Sequence, residues 1–151
     1  MKKLMSIIIS MVLGVMMAMP VSAAEAMLKE DVIEKEEINA TSGSNYFRSQ
    51  TIRLNSAGGN TSSKVKISTG SVIGSISSII LNVRAGGDSF KLYLQSPDGT
   101  LFWIVMDATG EIGVDKFNGQ NLSGSWMIWI ETLGTVSTAT ISVRINYDYN
   151  Y

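Results

Sequence analysis

The side chains able to do chemistry are few, and most are carboxylates or aromatic rings. The chain has no His and no Cys. That removes the usual general base, thiolate nucleophiles, zinc-thiolate sites and any Ser-His-Asp triad. A Ser-Lys dyad needs an activating context, and Ser62-Ser63-Lys64 reads instead as the solvated start of a strand. Paired carboxylates can hydrolyse glycosides. The available acids, Asp88, Asp98, Asp107, Glu111, Asp115 and Glu131, fall mostly at turns, where Asp caps loops. The residue types therefore predict a protein that is not an enzyme and carries no catalytic residue.

Two binding chemistries remain. Hard cations take several oxygens from loops, and Asp107, Glu111 and Asp115 lie around one turn. They form a candidate calcium set, although turn stabilisation accounts for the same residues; no other cofactor is expected. The second chemistry is aromatic. Trp126 and Trp129 are three apart, so on one strand they face opposite ways. Trp126 is expected inside. Trp129, with Tyr93 and Tyr149, is then a candidate for stacking on sugar rings; core packing and cross-strand filling are the alternative. Tyr147, Tyr149 and Tyr151 share a face at the C-terminus, where an aromatic edge strand could pair with another chain.

The elements that must position these residues begin after a targeting pattern. Met1-Lys2-Lys3 is a positive start, residues 4–19 are an apolar run, and Pro20-Val21-Ser22-Ala23-Ala24 supplies small residues for a peptidase. That order predicts a cleaved signal peptide over residues 1–24. The run is about 24 Å long as a helix, short of the ~30 Å hydrocarbon core. Twelve Lys and Arg less Lys2 and Lys3 leave ten, against 13 Asp and Glu, so the remaining chain carries −3. No basic stretch suits a phosphate backbone, so nucleic acid is not an expected partner. Without Cys there is no lipid-modified anchor, and a secreted, extracellular protein without a stable membrane anchor is predicted.

Residues 25–45 read as an acidic flexible leader and linker, and residues 46–151 as the folded domain. The domain follows period two. Residues 46–54, 63–68, 76–84, 90–95, 112–117 and 126–132 are candidate strands. Residues 139–147 alternate Ala139, Ile141, Val143, Ile145 and Tyr147 with polar neighbours. Residues 100–106 are apolar on both sides and predict a central, doubly covered strand. Short strands separated by Gly- and Asp-rich turns, with no 3.6 period, predict an all-β antiparallel sandwich, jelly-roll-like.

Two stretches bear a family likeness. Gly87-Asp88-Ser89-Phe90-Lys91-Leu92-Tyr93-Leu94-Gln95-Ser96-Pro97-Asp98-Gly99-Thr100 resembles the Gly-Asp…Ser-Pro-x-Gly-Thr stretch of the P domain (Homo B domain) of subtilisin-like proprotein convertases and bacterial exported proteases. Phe117-Asn118-Gly119-Gln120, followed by Gly124-Ser125-Trp126, is similar to that family's Phe-x-Gly-Glu…Gly-x-Trp stretch. The resemblance implies a jelly-roll-like sandwich with a non-catalytic accessory role toward a protein partner, sometimes with calcium. Within it Pro97 and Gly99 are expected to set a turn, Gly119 and Gly124 to shape the loop before the Trp strand, and Trp126 to pack inward. The expected function is binding to a protein partner. An extracellular glycan or cell-wall ligand, and a structural subunit assembling through an edge strand, are the alternatives.

Overall fold

The computed structural model describes residues 42–150. The predicted signal peptide, most of the leader and Tyr151 lie outside the described residues. Nine strands run β1 (Ser42–Arg48), β2 (Ile52–Ala57), β3 (Val65–Gly70), β4 (Ser75–Gly87), β5 (Phe90–Gln95), β6 (Leu101–Met106), β7 (Gly110–Val114), β8 (Gly124–Thr132) and β9 (Val136–Asn150). They form two antiparallel sheets. Sheet A has the order β1-β9-β4-β7, with β2 also paired to β9, and sheet B the order β3-β8-β5-β6. The protein is an all-β sandwich, as the alternation in the sequence predicts.

The long strand β9 organises sheet A because its even alternation leaves one face apolar from Ala139 to Tyr147. Ala139, Ile141, Val143 and Ile145 are buried, and Ile141 pairs with Val83 as Ile145 pairs with Ile79. Leu92, Leu94, Ile128 and Ile130 face them from sheet B with no exposed surface. Each such side chain contributes about 1.5–3 kcal/mol relative to its exposed state. Trp126 sits among them fully buried, edge-on to Phe117 with centroids 5.1 Å apart.

Three expectations are corrected. Residues 46–54 are not one strand. The chain breaks at residues 49–51, where Ser49 exchanges hydrogen bonds with Val143 through its N–H and its hydroxyl, so β1 and β2 occupy the same side of β9 in succession. Residues 42–45, expected in the linker, belong to β1 and pair with the end of β9. Residues 100–106 do not form a central strand: β6 ends sheet B and leaves Leu101, Trp103 and Val105 exposed. An uncharged strand reads as central because edges are normally marked by charge or Pro, and β6 carries neither.

The turn from β5 to β6 is built by its sequence. Gly99 N–H donates to the Ser96 carbonyl at 3.0 Å, Ser96 N–H to the Thr100 carbonyl at 2.9 Å, and Thr100 N–H to Asp98 Oδ1 at 2.9 Å. Gly99 takes φ +91°, a conformation that glycine adopts without a Cβ clash. Pro97 then rests on Gly124: a Cβ there would lie 2.8 Å from Pro97 Cβ. The two stretches of family likeness thus meet in space. Gly119, at φ +82°, donates its N–H to the Ile76 carbonyl at 2.7 Å and ties the loop before β8 to β4.

Candidate functional site

The two outer faces differ in character. The outer face of sheet A is largely polar, with Thr138, Thr140, Ser142 and Asn146 alternating along β9. The outer face of sheet B carries a row of rings. Register places Tyr93 of β5 between Trp129 of β8 and Trp103 of β6. Tyr93 and Trp129 stack at 5.1 Å with their planes 9° apart. Lys64 lies over Trp129, its Nζ 4.3 Å from the ring centroid, which adds a cation–π contact. Trp103 ends the row, with Lys91 Nζ 5.7 Å from its centroid.

Below this row Tyr93 Oη donates to Glu131 Oε2 at 2.5 Å, and Lys91 Nζ lies 4.0 Å from the same oxygen. The hydrogen bond to Glu131, with burial and the carboxylate's charge behind it, pushes the Tyr93 phenol up to about 12. A phenol held there does not exchange protons efficiently near neutrality. The Lys91–Glu131 pair is part-exposed, and such pairs contribute about 0–1 kcal/mol. The arrangement is therefore a rigid aromatic surface with a charged border.

The stacking alters which ring is free. Of the two readings of Trp129, sugar platform or cross-strand filling, the structure fits the second: the ring keeps only 7% of its surface. Tyr93 covers one ring face and Lys64 approaches the ring from 4.3 Å, so Trp129 is poorly placed to receive a sugar. Tyr93 is half-buried by the same stack. Tyr149 is not near either: it lies on β9 of sheet A, partly buried against the core beside Gly43. The three candidate sugar-binding rings do not converge. On the outer face of sheet B the open ring is Trp103, 55% exposed, which the sequence hid inside an unbroken apolar run; Tyr46 on β1 of sheet A is as exposed.

The proposed calcium set does not assemble either. Among the described residues no three His, Cys, Asp or Glu side chains converge on a possible metal position. Asp107 follows β6, Glu111 lies in β7 opposite Asn82, and Asp115 caps the next turn, its carbonyl accepting Asn118 N–H at 3.0 Å. Asp88 also has a local task. Its Oδ2 accepts the N–H groups of Val136 at 3.1 Å and Thr135 at 2.5 Å, which holds its carboxyl below the usual range. Trp126 packs inward, donating its indole N–H to the Leu122 carbonyl at 3.1 Å.

A shallow concavity of about 630 Å³ lies where the ends of β1 and β9 meet residues 73–75 and 119–121. Its one carboxylate, Asp148, accepts the Ser44 hydroxyl at 2.5 Å, so it offers no acid–base pair.

These features define a two-sheet β-sandwich whose distinctive surface is the outer face and free edge of sheet B. No family model matches the chain. No curated protein matches it. Among solved structures, a crystal structure of FlhE is similar at a TM-score of 0.45 and 13% identity, over 74% of this chain and 100% of that one. A likeness of that degree carries no inference about what this chain does.

Proposed function

We propose that this protein is an exported, non-catalytic binding domain that engages a protein partner by accepting an extended strand at the free edge of β6. The carrying observation is the character of that edge. Leu101-Phe102-Trp103-Ile104-Val105-Met106 closes sheet B with no charge, Pro or Gly. Sheet edges are commonly blunted by such residues, because free N–H and C=O groups otherwise recruit other strands. Strand addition uses main-chain groups for affinity and alternate side chains for selectivity. Leu101, Trp103 and Val105 supply those alternate side chains.

The chain crosses between the two sheets at every strand connection except β1–β2 and β5–β6, which supports a jelly-roll wiring. An accessory role of the P-domain kind rests on the sequence resemblance, whose two stretches are neighbours in space where Pro97 rests on Gly124. Export rests on the targeting pattern of residues 1–24 and is tested by the N-terminal sequence of the protein recovered outside the cell.

Strand acceptance is tested with a soluble extended peptide of alternating Val and Thr, following tryptophan emission, in which Trp103 is the exposed contributor beside the buried Trp126 and Trp129. Binding should shift the emission to the blue, and Val105→Pro should abolish the shift. No shift at any peptide concentration would sink the reading. Retention on insoluble polysaccharide that is lost in Trp103→Ala would replace it with a sugar-binding one.

A further inference from the structure

Building on the strand-acceptance reading, we infer that the strand which β6 accepts is β6 of a second copy, paired antiparallel about a two-fold axis at Trp103. The argument starts from which backbone groups point outward. In antiparallel pairs, hydrogen-bonded and non-hydrogen-bonded positions alternate. Ser96 N–H bonds the Thr100 carbonyl across the turn, so Ser96 and Thr100 close the hairpin as a hydrogen-bonded pair. Gln95 opposite Leu101 is then non-bonded, Leu94 opposite Phe102 bonded, and so on along the register. The N–H and C=O groups of Leu101, Trp103 and Val105 therefore face the free edge. The far side of the sheet keeps the same phase. Ile130 points its backbone at Ser62, its carbonyl accepting Ser62 N–H at 2.7 Å and its N–H meeting Ser62 Oγ at 3.0 Å. Residues on β8 of the opposite parity, including Trp129, consequently face β5.

Three outward positions centred on one residue are self-complementary. A two-fold axis at Trp103 sets Trp103 against Trp103 of the second copy, and Leu101 against Val105, with each outward N–H meeting an outward C=O. A closed two-fold contact uses the same patch on both copies. No like charges are brought opposite each other, because β6 has none. The Val105 row carries Lys91 on β5, and the Leu101 row with which it aligns carries Gln95. The ring row then runs unbroken through the axis, giving the half-open Trp103 the cross-strand aromatic neighbour that Tyr93 and Trp129 already have.

The other edges do not invite the same pairing. The β3 edge has Lys66 within it, Lys64 beside it and a register shift between Ser68 and Gly70. The β7 strand is five residues long, with Gly110, Glu111 and Gly113. The β1–β2 side is interrupted at residues 49–51 and carries Arg48 and Arg53. Of these edges, β6 is the unguarded one.

The test is sedimentation over a wide concentration range, with a charge-swap at the axis. The wild-type chain should pass from monomer to a species of about twice the mass. Trp103→Lys and Trp103→Glu should each stay monomeric, because like charges directly opposite disfavour pairing. An equimolar mixture of the two should recover the doubled mass, a result that misfolding of either variant does not produce. Circular dichroism checks that both variants keep the wild-type fold. A dimer that persists in both variants, or a mixture that stays monomeric, overturns the proposed axis. A wild-type chain that stays monomeric but still binds the Val/Thr peptide overturns self-pairing and leaves strand acceptance standing. A chain that does neither removes both.

Discussion

Replacing Trp126 with Phe should cost about 2 kcal/mol of folding stability, and the size follows from one shared carbonyl. The indole is fully buried and donates to the Leu122 oxygen at 3.1 Å. Phenylalanine leaves a void of ~40 Å³, worth about 1 kcal/mol at ~24 cal/mol per Å³. The lost hydrogen bond adds roughly 1 kcal/mol net. The larger penalty for an orphaned buried acceptor does not arise, because Thr69 Oγ1 also donates to the Leu122 oxygen, at 2.7 Å. Thr69→Val alone likewise leaves that oxygen one partner. The double variant strips both, so it should lose an additional ~1–3 kcal/mol beyond the sum of the singles. Urea unfolding followed by circular dichroism reads all four corners of the cycle. Additivity within about 0.5 kcal/mol would refute the sharing argument.

Four further outcomes are expected. In an alkaline absorbance titration one tyrosine should ionise near pH 12, and Glu131→Gln should bring it down. Because the native phenol binds its proton more tightly than the unfolded one, its stabilisation is complete below about pH 10 and is lost as pH rises toward 12. Asp88 has the opposite sign: its lowered carboxyl stabilises above the unfolded value and stops doing so as pH falls through the native one. Asp88→Asn should therefore flatten the acid limb of the stability profile while lowering the plateau. Gly124→Ala should destabilise by about 1–3 kcal/mol, through both the Pro97 contact and the positive φ, and its cost should shrink to the φ part when measured in a Pro97→Gly chain, which lacks the Cβ and Cγ that the new methyl meets. Calcium should leave the melting temperature where EDTA leaves it; a calcium-dependent rise would mean that Asp107, Glu111 or Asp115 joins a site through some other group.

Much of the sheet interior was legible because period two is a local property. The alternation in residues 139–147 marks one face of β9 as apolar whatever it packs against, and the buried face is that one. The spacing of Trp126 and Trp129 correctly put the two rings on opposite faces. The Ser96–Thr100 turn was equally readable, since Pro, Asp and Gly act on the backbone within a few residues. Strand ends were less legible. Residues 49–51 interrupt an apparent strand only because Ser49 finds Val143, 94 residues away in sequence.

By itself the sequence determined the class of the fold, the inward rings and the lack of the side chains that most catalysis needs. The tertiary structure alone decided which strand lies at an edge and which ring is open. Residues 101–106 carry the composition of a buried strand, and only the sheet order leaves Trp103 without a neighbour on one side. Trp129 has the spacing of an exposed ring, and only the approach of Tyr93 and Lys64 covers it. Local pattern sets which face of a strand is apolar; partners distant in sequence set whether that face and that edge meet water.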